Sequence, residues 1–317
     1  PPRATRAFAM GHLAGFLAVN CIEQEYNTPF GNMETNKSAN PEIAYGVAMS
    51  YALEEAFQSM FSLDRLAFLS NYENNEAKTN AIKIGKMAAK KVTDFRVYDG
   101  AEPNKANFYL DRYKRREDSL RWSPTGPFYG AANGPSFSSF NRGALPGWGA
   151  QKPWVMKNKS EFLAPEFPDA KSPEFAQQYR KVKSMGGVDS VIRTEEQTQI
   201  AFFWEDGPRG VTPPGHWQII AMNITQNMTL PFIELAKLFA LLSMGQADAA
   251  ITTWDSKYIH DVLRPETAIR QRSEDFDNIQ IVRAGQSKWQ SLIPTPNFPA
   301  YTSGHSTFSA VSARMLA

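Results

Sequence analysis

Apolar residues recur at intervals of three and four along most of this chain, and almost nowhere at the strict alternation of a half-buried strand. Residues 4–24 are an apolar run. Arg3 and Arg6 in front give it the look of a leader, but His12, Asn20 and the acidic residues after Cys21 mark it as a core helix. Residues 41–96 read as three amphipathic helices. Pro41 suits a first helical turn, Ala52, Ala56 and Met60 keep one face apolar, and Ser62 or Asp64 can cap the second helix. From Glu76 to Val97 the pattern turns Ile82, Ile84, Ala88 and Val92 inward and Lys83, Lys86, Lys90 and Lys91 outward, as a solvated face. Between about Gly100 and Pro168 the period is lost to Gly, Pro, Ser and aromatic residues. An ordered loop packed over the helices is expected there, walling a substrate channel. Helices resume at Ser172-Pro173-Glu174, at Thr194, at Thr212-Pro213-Pro214, and from Pro231 in a long apolar helix towards Asp255. The class is therefore all-α: helical bundles with a long Gly/Pro/aromatic loop region. The expected division is an N-terminal helical region with the loop over 1–160 and a second helical domain over 161–317.

Composition narrows the function classes. The 317 residues are 42% hydrophobic, enough for a large core. Lys and Arg total 34 against 32 for Asp and Glu, and a net charge of +2 makes no electrostatic case for nucleic acid or an anionic membrane. No apolar run is long enough to cross a bilayer. The lone Cys21 excludes an intramolecular disulfide and leaves the redox compartment open. Sequons at Asn36, Asn158, Asn223 and Asn227 permit a secreted or extracytoplasmic setting. No histidine or cysteine spacing suits zinc. His12 reads as structural, and His216 as packing beside Trp217 or lining a channel. His260 is a candidate supporting donor beside Lys257.

Chemistry concentrates in residues 254–310. Ile251, Trp254, Tyr258, Ile259, Val262 and Leu263 allow the first half to be a helix. Lys257 and Arg264, seven apart, would then share one stripe, with Arg264 at the helix end ahead of Pro265. Lys supplies a flexible point charge and Arg a rigid bidentate fork, a pairing suited to oxyanions. In the second half a proline-bounded extended segment leads into a helix with Ser303 as N-cap and Phe308, Val311 and Met315 on one side. Gly304 would let the backbone approach a ligand at a helix N-terminus, and His305 in the first turn can move protons near neutral pH. Each feature alone is common in a structural role: a solvated face, a cap, a packed histidine. Their conjunction points to a grip on phosphate or a look-alike.

Lys-x6-Arg-Pro followed by Ser-Gly-His resembles the first two motifs of the vanadium-dependent haloperoxidases and their relatives, the type-2 phosphatidic acid phosphatase superfamily. The whole stretch Phe298-Pro-Ala-Tyr-Thr-Ser-Gly-His-Ser-Thr-Phe308 is similar to the haloperoxidase form of the second motif. Trp254 and Phe298 match halide-site aromatic positions of chloroperoxidase type, and residues 81–85, 147–149 and 193–198 resemble further segments of bacterial haloperoxidases. The resemblance implies a haloperoxidase-like helical fold and a vanadate cofactor, or phosphate in its place. Lys257, Arg264, Ser303 and Gly304 would hold it, Lys257 and His305 would act in catalysis, and Trp254 and Phe298 would form the halide pocket. Hydrogen peroxide, halide and a small organic acceptor would be the partners, with chloride as well as bromide oxidised.

The family's third motif, Ser-Arg-x5-His, carries a further oxyanion-binding arginine and the vanadium-ligating histidine. The resemblance implies that this histidine lies beyond Ala317, so no residue of this sequence is expected to ligate the metal. Arg314 is no substitute for the motif's arginine, since nine residues along a helix it stands ~13.5 Å from His305 and on the other face. The expectation is a second chain or a C-terminal segment that completes the site and covers Phe308, Val311 and Leu316, with a homo-oligomer also open. The alternative readings are an acid phosphatase using the same cradle, and a non-catalytic anion-binding remnant or one chain of a split enzyme.

Overall fold

The computed structural model describes residues 1–31, 33–57, 61–101, 121–122, 143–207, 210–271 and 289–317. Its helices are α1 (Pro2–Glu23), α2 (Pro41–Phe57), α3 (Ser62–Ser70), α4 (Glu76–Arg96), α5 (Pro173–Gly186), α6 (Glu195–Phe203), α7 (Thr212–Thr225), α8 (Phe232–His260), α9 (Pro265–Gln271) and α10 (Gly304–Leu316). Among the described residues the only strand-like pairings are isolated bridges, Arg121 with Val262 and Gly187 with Ser291. The all-α expectation holds, and every predicted helix is present. Most of the expected channel wall, residues 102–120 and 123–142, lies outside the described residues, as does Met60.

Local chemistry explains where the helices begin. Asn75 accepts from Lys78 N, Ser172 from Phe175 N ahead of Pro173, and Thr194 forms a reciprocal capping box with Gln197. The expected cap on α3 is not made: Phe61 occupies that position without a side-chain bond, and Ser62 and Asp64 fall inside the helix.

The largest core joins α1, α2 and α4 through Met10, Leu13, Leu17, Ile43, Val47 and Ile84, with Lys83, Lys86 and Lys90 facing out as expected, whereas Lys91 is half-buried and donates to Phe30 O. Small residues let these helices approach closely. A Cβ on Gly85 would stand 2.7 Å from Ala44 O and 2.8 Å from Val47 Cβ, so backbone would have to move. Gly85→Ala is expected to cost roughly 1–3 kcal/mol in urea unfolding, the usual penalty of overpacking.

The polar groups of this half are structural. His12 is buried in α1, bonded through Nδ1 to Tyr45 Oη at 2.6 Å and stacked on Phe239. Desolvation lowers its pKa to about 4. Below the ordinary histidine pKa the unfolded chain takes up a proton that the folded chain refuses. Stability should therefore fall by up to about 1.4 kcal/mol per pH unit as pH drops from ~6.5 towards that folded value. His12→Phe should flatten this slope in a pH series of unfolding curves. Asp99, fully buried, accepts from Arg6 Nε at 2.9 Å, Arg96 Nε at 2.8 Å and Ala101 N at 3.0 Å. Arg96 also donates to Lys152 O and Pro153 O and covers the Trp154 ring. Asp248 of α8 accepts the backbone N–H groups of Trp154, Val155 and Met156 at 2.7–2.8 Å. Two buried carboxylates thus latch the irregular segment to α4 and α8.

That segment, where described, ends against the C-terminal half of α8. Trp148 is buried with Ile251, Trp254 and Phe308. α10 lies along α8 as well, with Val311 Cγ2 and Met315 Cε each 3.2 Å from the position a Cβ on Gly245 would take. Phe308 and Val311 are therefore covered by α8 itself, contrary to the expectation that they lack partners; Leu316 is half-buried. Ala317, exposed, caps α10 with its N–H on Ala313 O at 3.1 Å.

Candidate functional site

α8 ends at His260, four residues earlier than the helical reading of 251–264 supposed. Asp261 adopts the left-handed conformation (φ 53°), its N–H closes the helix on Lys257 O, and α9 begins at Pro265. Lys257 and Arg264 do not share a helical stripe. The turn at Asp261 and the extended residues after it bring Arg264 back beside the last turns of α8.

The two cations meet on the 298–300 segment. Lys257 Nζ donates to Pro299 O at 2.9 Å and Ala300 O at 3.3 Å, and Arg264 Nε donates to Phe298 O at 2.6 Å. The segment is held in place by Ala300 N on Val262 O at 3.0 Å and by Ala144 N on Asn297 O at 2.8 Å. Trp254, 1% exposed, donates from Nε1 to Ala144 O and packs on Phe298 with centroids 5.4 Å apart. Gly304 completes the wall, since a Cβ there would sit 3.7 Å from Trp254 Cζ3 and from Phe308 Cε2. Lys257, Arg264, Trp254, Phe298 and Gly304 are thus gathered into one place.

Ser303 and His305 stand at its edge. Ser303 is the N-cap of α10, its Oγ accepting from Ser306 N at 3.2 Å, which leaves the hydroxyl proton to donate elsewhere. His305 is exposed, with Nε2 3.2 Å from Glu205 O. A carbonyl only accepts, so that contact puts a proton on Nε2 and leaves Nδ1 to take or give the mobile one. His260 does not support Lys257: its Nε2 meets Ala164 O at 2.9 Å and its ring meets Tyr301. His216 pairs through Nδ1 with Asp206 at 3.1 Å and stacks on Trp204, a packing arrangement. The vanadium-ligating histidine that the resemblance sets beyond Ala317 falls outside the described residues, and Ala317 itself, at the far end of α10 from Ser303, takes no part in the cradle.

The electrostatics are those of an anion site. Lys257 is 1% exposed, and desolvation, with the Arg264 charge added, drives its pKa well below the usual lysine value. Desolvation also lowers Arg264 to about 10. Among the described residues no carboxylate makes an ion pair with either, and Arg264 Nη2 is buried without a hydrogen-bond partner. Among the described residues the two cations face carbonyl oxygens, rings and the Tyr258 side chain, an arrangement that is costly unless an anion joins them. The open glycine and the α10 N-terminus beside them suit a tetrahedral oxyanion, so the residues present fit vanadate or phosphate. Among the described residues no cluster of His, Cys, Asp and Glu could hold a metal cation.

Sequence reading missed the parts that are backbone: the Pro299, Ala300 and Phe298 carbonyls under the cations and the Glu205 carbonyl on His305. It also missed Lys159, whose Nζ bridges Gly149 O at 2.6 Å and Asp255 Oδ1 at 2.8 Å. Asp255, an acid beside Trp254 near the end of α8, is the signal that pointed there.

Residues 237–317 match the family model described as the VCPO second helical-bundle domain. The chain is 29% identical over 160 residues, 45% of its length, to the vanadium chloroperoxidase of Curvularia inaequalis, and spans about a quarter (26%) of that relative. Among solved structures it is similar over its whole length to 75% of a bacterial vanadium-dependent iodoperoxidase, with a TM-score of 0.77 and 25% identity. An apo-type bacterial vanadium-dependent chloroperoxidase shares the fold over 98% of this chain and 75% of its own, with a TM-score of 0.68 and 18% identity. The resemblance read from Lys257, Arg264 and the Ser303-Gly304-His305 segment is borne out: these relatives are vanadium haloperoxidases.

Proposed function

We propose that this chain serves a vanadate-dependent haloperoxidase activity, oxidising a halide with hydrogen peroxide to hypohalous acid that meets a small organic acceptor. The observation that carries the reading is the pair of cations, buried Lys257 and half-buried Arg264, converging on one backbone segment without a carboxylate among the described residues. Bound vanadate would supply the electrophilic centre that activates peroxide towards halide. The chain's own residues neutralise charge and move protons. Lys257 and Arg264 hold oxyanion oxygens, the Gly304 amide and the Ser303 hydroxyl add donors at the start of α10, and His305 takes or gives a proton at Nδ1. Trp254 and Phe298 exclude water from the cations and offer the halide an apolar wall.

The relatives are named for chloride and for iodide, so halide choice is read by experiment. Halogenation of monochlorodimedone with chloride, bromide and iodide, run beside hydrolysis of p-nitrophenyl phosphate with and without vanadate, tests the proposal. Vanadate-dependent halogenation is expected. Phosphate ester hydrolysis that vanadate inhibits would replace this reading with an acid phosphatase. Binding of vanadate with neither activity would leave an anion-binding protein.

Gly304 gives a test independent of turnover. An added Cβ meets only ordinary contacts, so Gly304→Ala should fold normally, with stability unchanged or raised by about 0.5 kcal/mol. It should nonetheless weaken phosphate binding, by roughly tenfold, because the methyl occupies the approach to the amide. Equal affinity in calorimetry would remove this amide from the cradle.

A further inference from the structure

We infer that the Phe298 ring is the electrostatic spacer of the cradle, holding the Lys257 ammonium and the Arg264 guanidinium in one ordered arrangement before any anion arrives. The inference rests on the oxyanion reading above. Lys257 Nζ lies over this ring at 4.8 Å from its centroid, and Arg264 Cζ at 4.6 Å. Like charges gathered on one ring repel, and Lys257 is cut off from the water that would screen it while Arg264 is half-buried. Among the described residues no carboxylate separates them. What faces both is the electron-rich face of a single aromatic ring, which attracts a cation more strongly once the cation is desolvated.

The carbonyls of 298–300 do not do this alone. They engage Lys257 Nζ and Arg264 Nε but leave Arg264 Nη2 with no partner, so the guanidinium is only partly tied by hydrogen bonds. The Trp254 ring is 6.0 Å from Lys257 Nζ, at the limit of such attraction, and serves instead to brace Phe298 from the side. Trp254 is in turn held by its bond to Ala144 O at 3.0 Å. Lysine and arginine carry much rotamer freedom, and a ring that pins both beforehand removes that cost from anion binding. Residue 298 therefore sets the strength of the oxyanion grip, as a positioning residue, in addition to any contact with halide.

Replacing Phe298 with 3,4,5-trifluorophenylalanine keeps the shape of the ring and removes most of its negative face. Calorimetric titration with inorganic phosphate should show affinity about tenfold weaker for the fluorinated protein and for Phe298→Leu, and within about threefold of the parent for Phe298→Tyr. In 13C-lysine spectra without ligand, the Lys257 Hε resonance, assigned by its absence in Lys257→Met, should be shifted upfield by the ring and return to the ordinary position in Phe298→Leu. Parent-like phosphate affinity in the fluorinated protein would overturn the spacer. So would a Lys257 resonance at its ordinary position in the parent. If the parent itself binds neither phosphate nor vanadate, the oxyanion reading fails instead, and the lysine resonance still decides whether the ring holds the cation.

Discussion

Lys257→Met is expected to remove most of the affinity for phosphate and vanadate while leaving the unliganded protein at least as stable. Truncating one member of a sheltered charge pair costs roughly 2–5 kcal/mol of binding, about thirtyfold to several-thousandfold in affinity. Arg264→Ala should fall in the same range, because its half-buried guanidinium is desolvated too and ends in the buried Nη2. Stability should move the other way. In the free protein the Lys257 ammonium is desolvated beside a second cation, and methionine fills a similar volume without a charge to bury. His305→Ala provides the contrast: the side chain is exposed and bonded only to Glu205 O among the described residues, so affinity should stay near the parent value while turnover falls. Calorimetry with phosphate and a thermal melt without it, on the same preparations, read all of this. Unchanged affinity in both cation variants would dissolve the cradle.

Asp99→Ala is expected to cause the largest loss of stability in the molecule. The carboxylate is the shared partner of Arg6 and Arg96, and its removal leaves two guanidinium groups in the core without their directly bonded carboxylate, with Asp248 acting on Arg96 only from further away. Breaking a buried pair by deleting one partner costs roughly 3–5 kcal/mol, against total stabilities of about 5–15 kcal/mol. Urea unfolding should show that drop in midpoint. Asp99→Asn should recover part of it, since the amide oxygen can still accept from one arginine and from Ala101 N. A change below about 1 kcal/mol would mean that the arginines find other partners, as in a solvated pair. Because Arg96 also grips the carbonyls of Lys152 and Pro153, the loss should extend to the irregular segment, visible as faster amide exchange at Trp154 and Val155.

Local and periodic features could be read from the residues alone. Apolar spacing placed the helices, and the cap residues Ser172, Thr194 and Ser303 marked three of their starts, because a helix N-terminus is satisfied by side chains within a few residues. The candidate site was legible as a set of residue types, Lys257, Arg264, Ser303, Gly304 and His305, because these oxyanion-binding types happen to fall in one stretch of the chain at the spacing of two known motifs. Their arrangement was settled in three dimensions. A left-handed residue at Asp261 ended α8 early and swung Arg264 back, a choice that depends on the bond of Arg121 to His260 O and of Trp122 N to Asp261 O, more than a hundred positions upstream. Carbonyls have no letter in a sequence, so the Phe298, Pro299 and Ala300 oxygens under the cations could not be read from it. The double role of Phe298 likewise needed the fold, since a ring becomes a partner for two charges only when packing removes the water that would otherwise surround them.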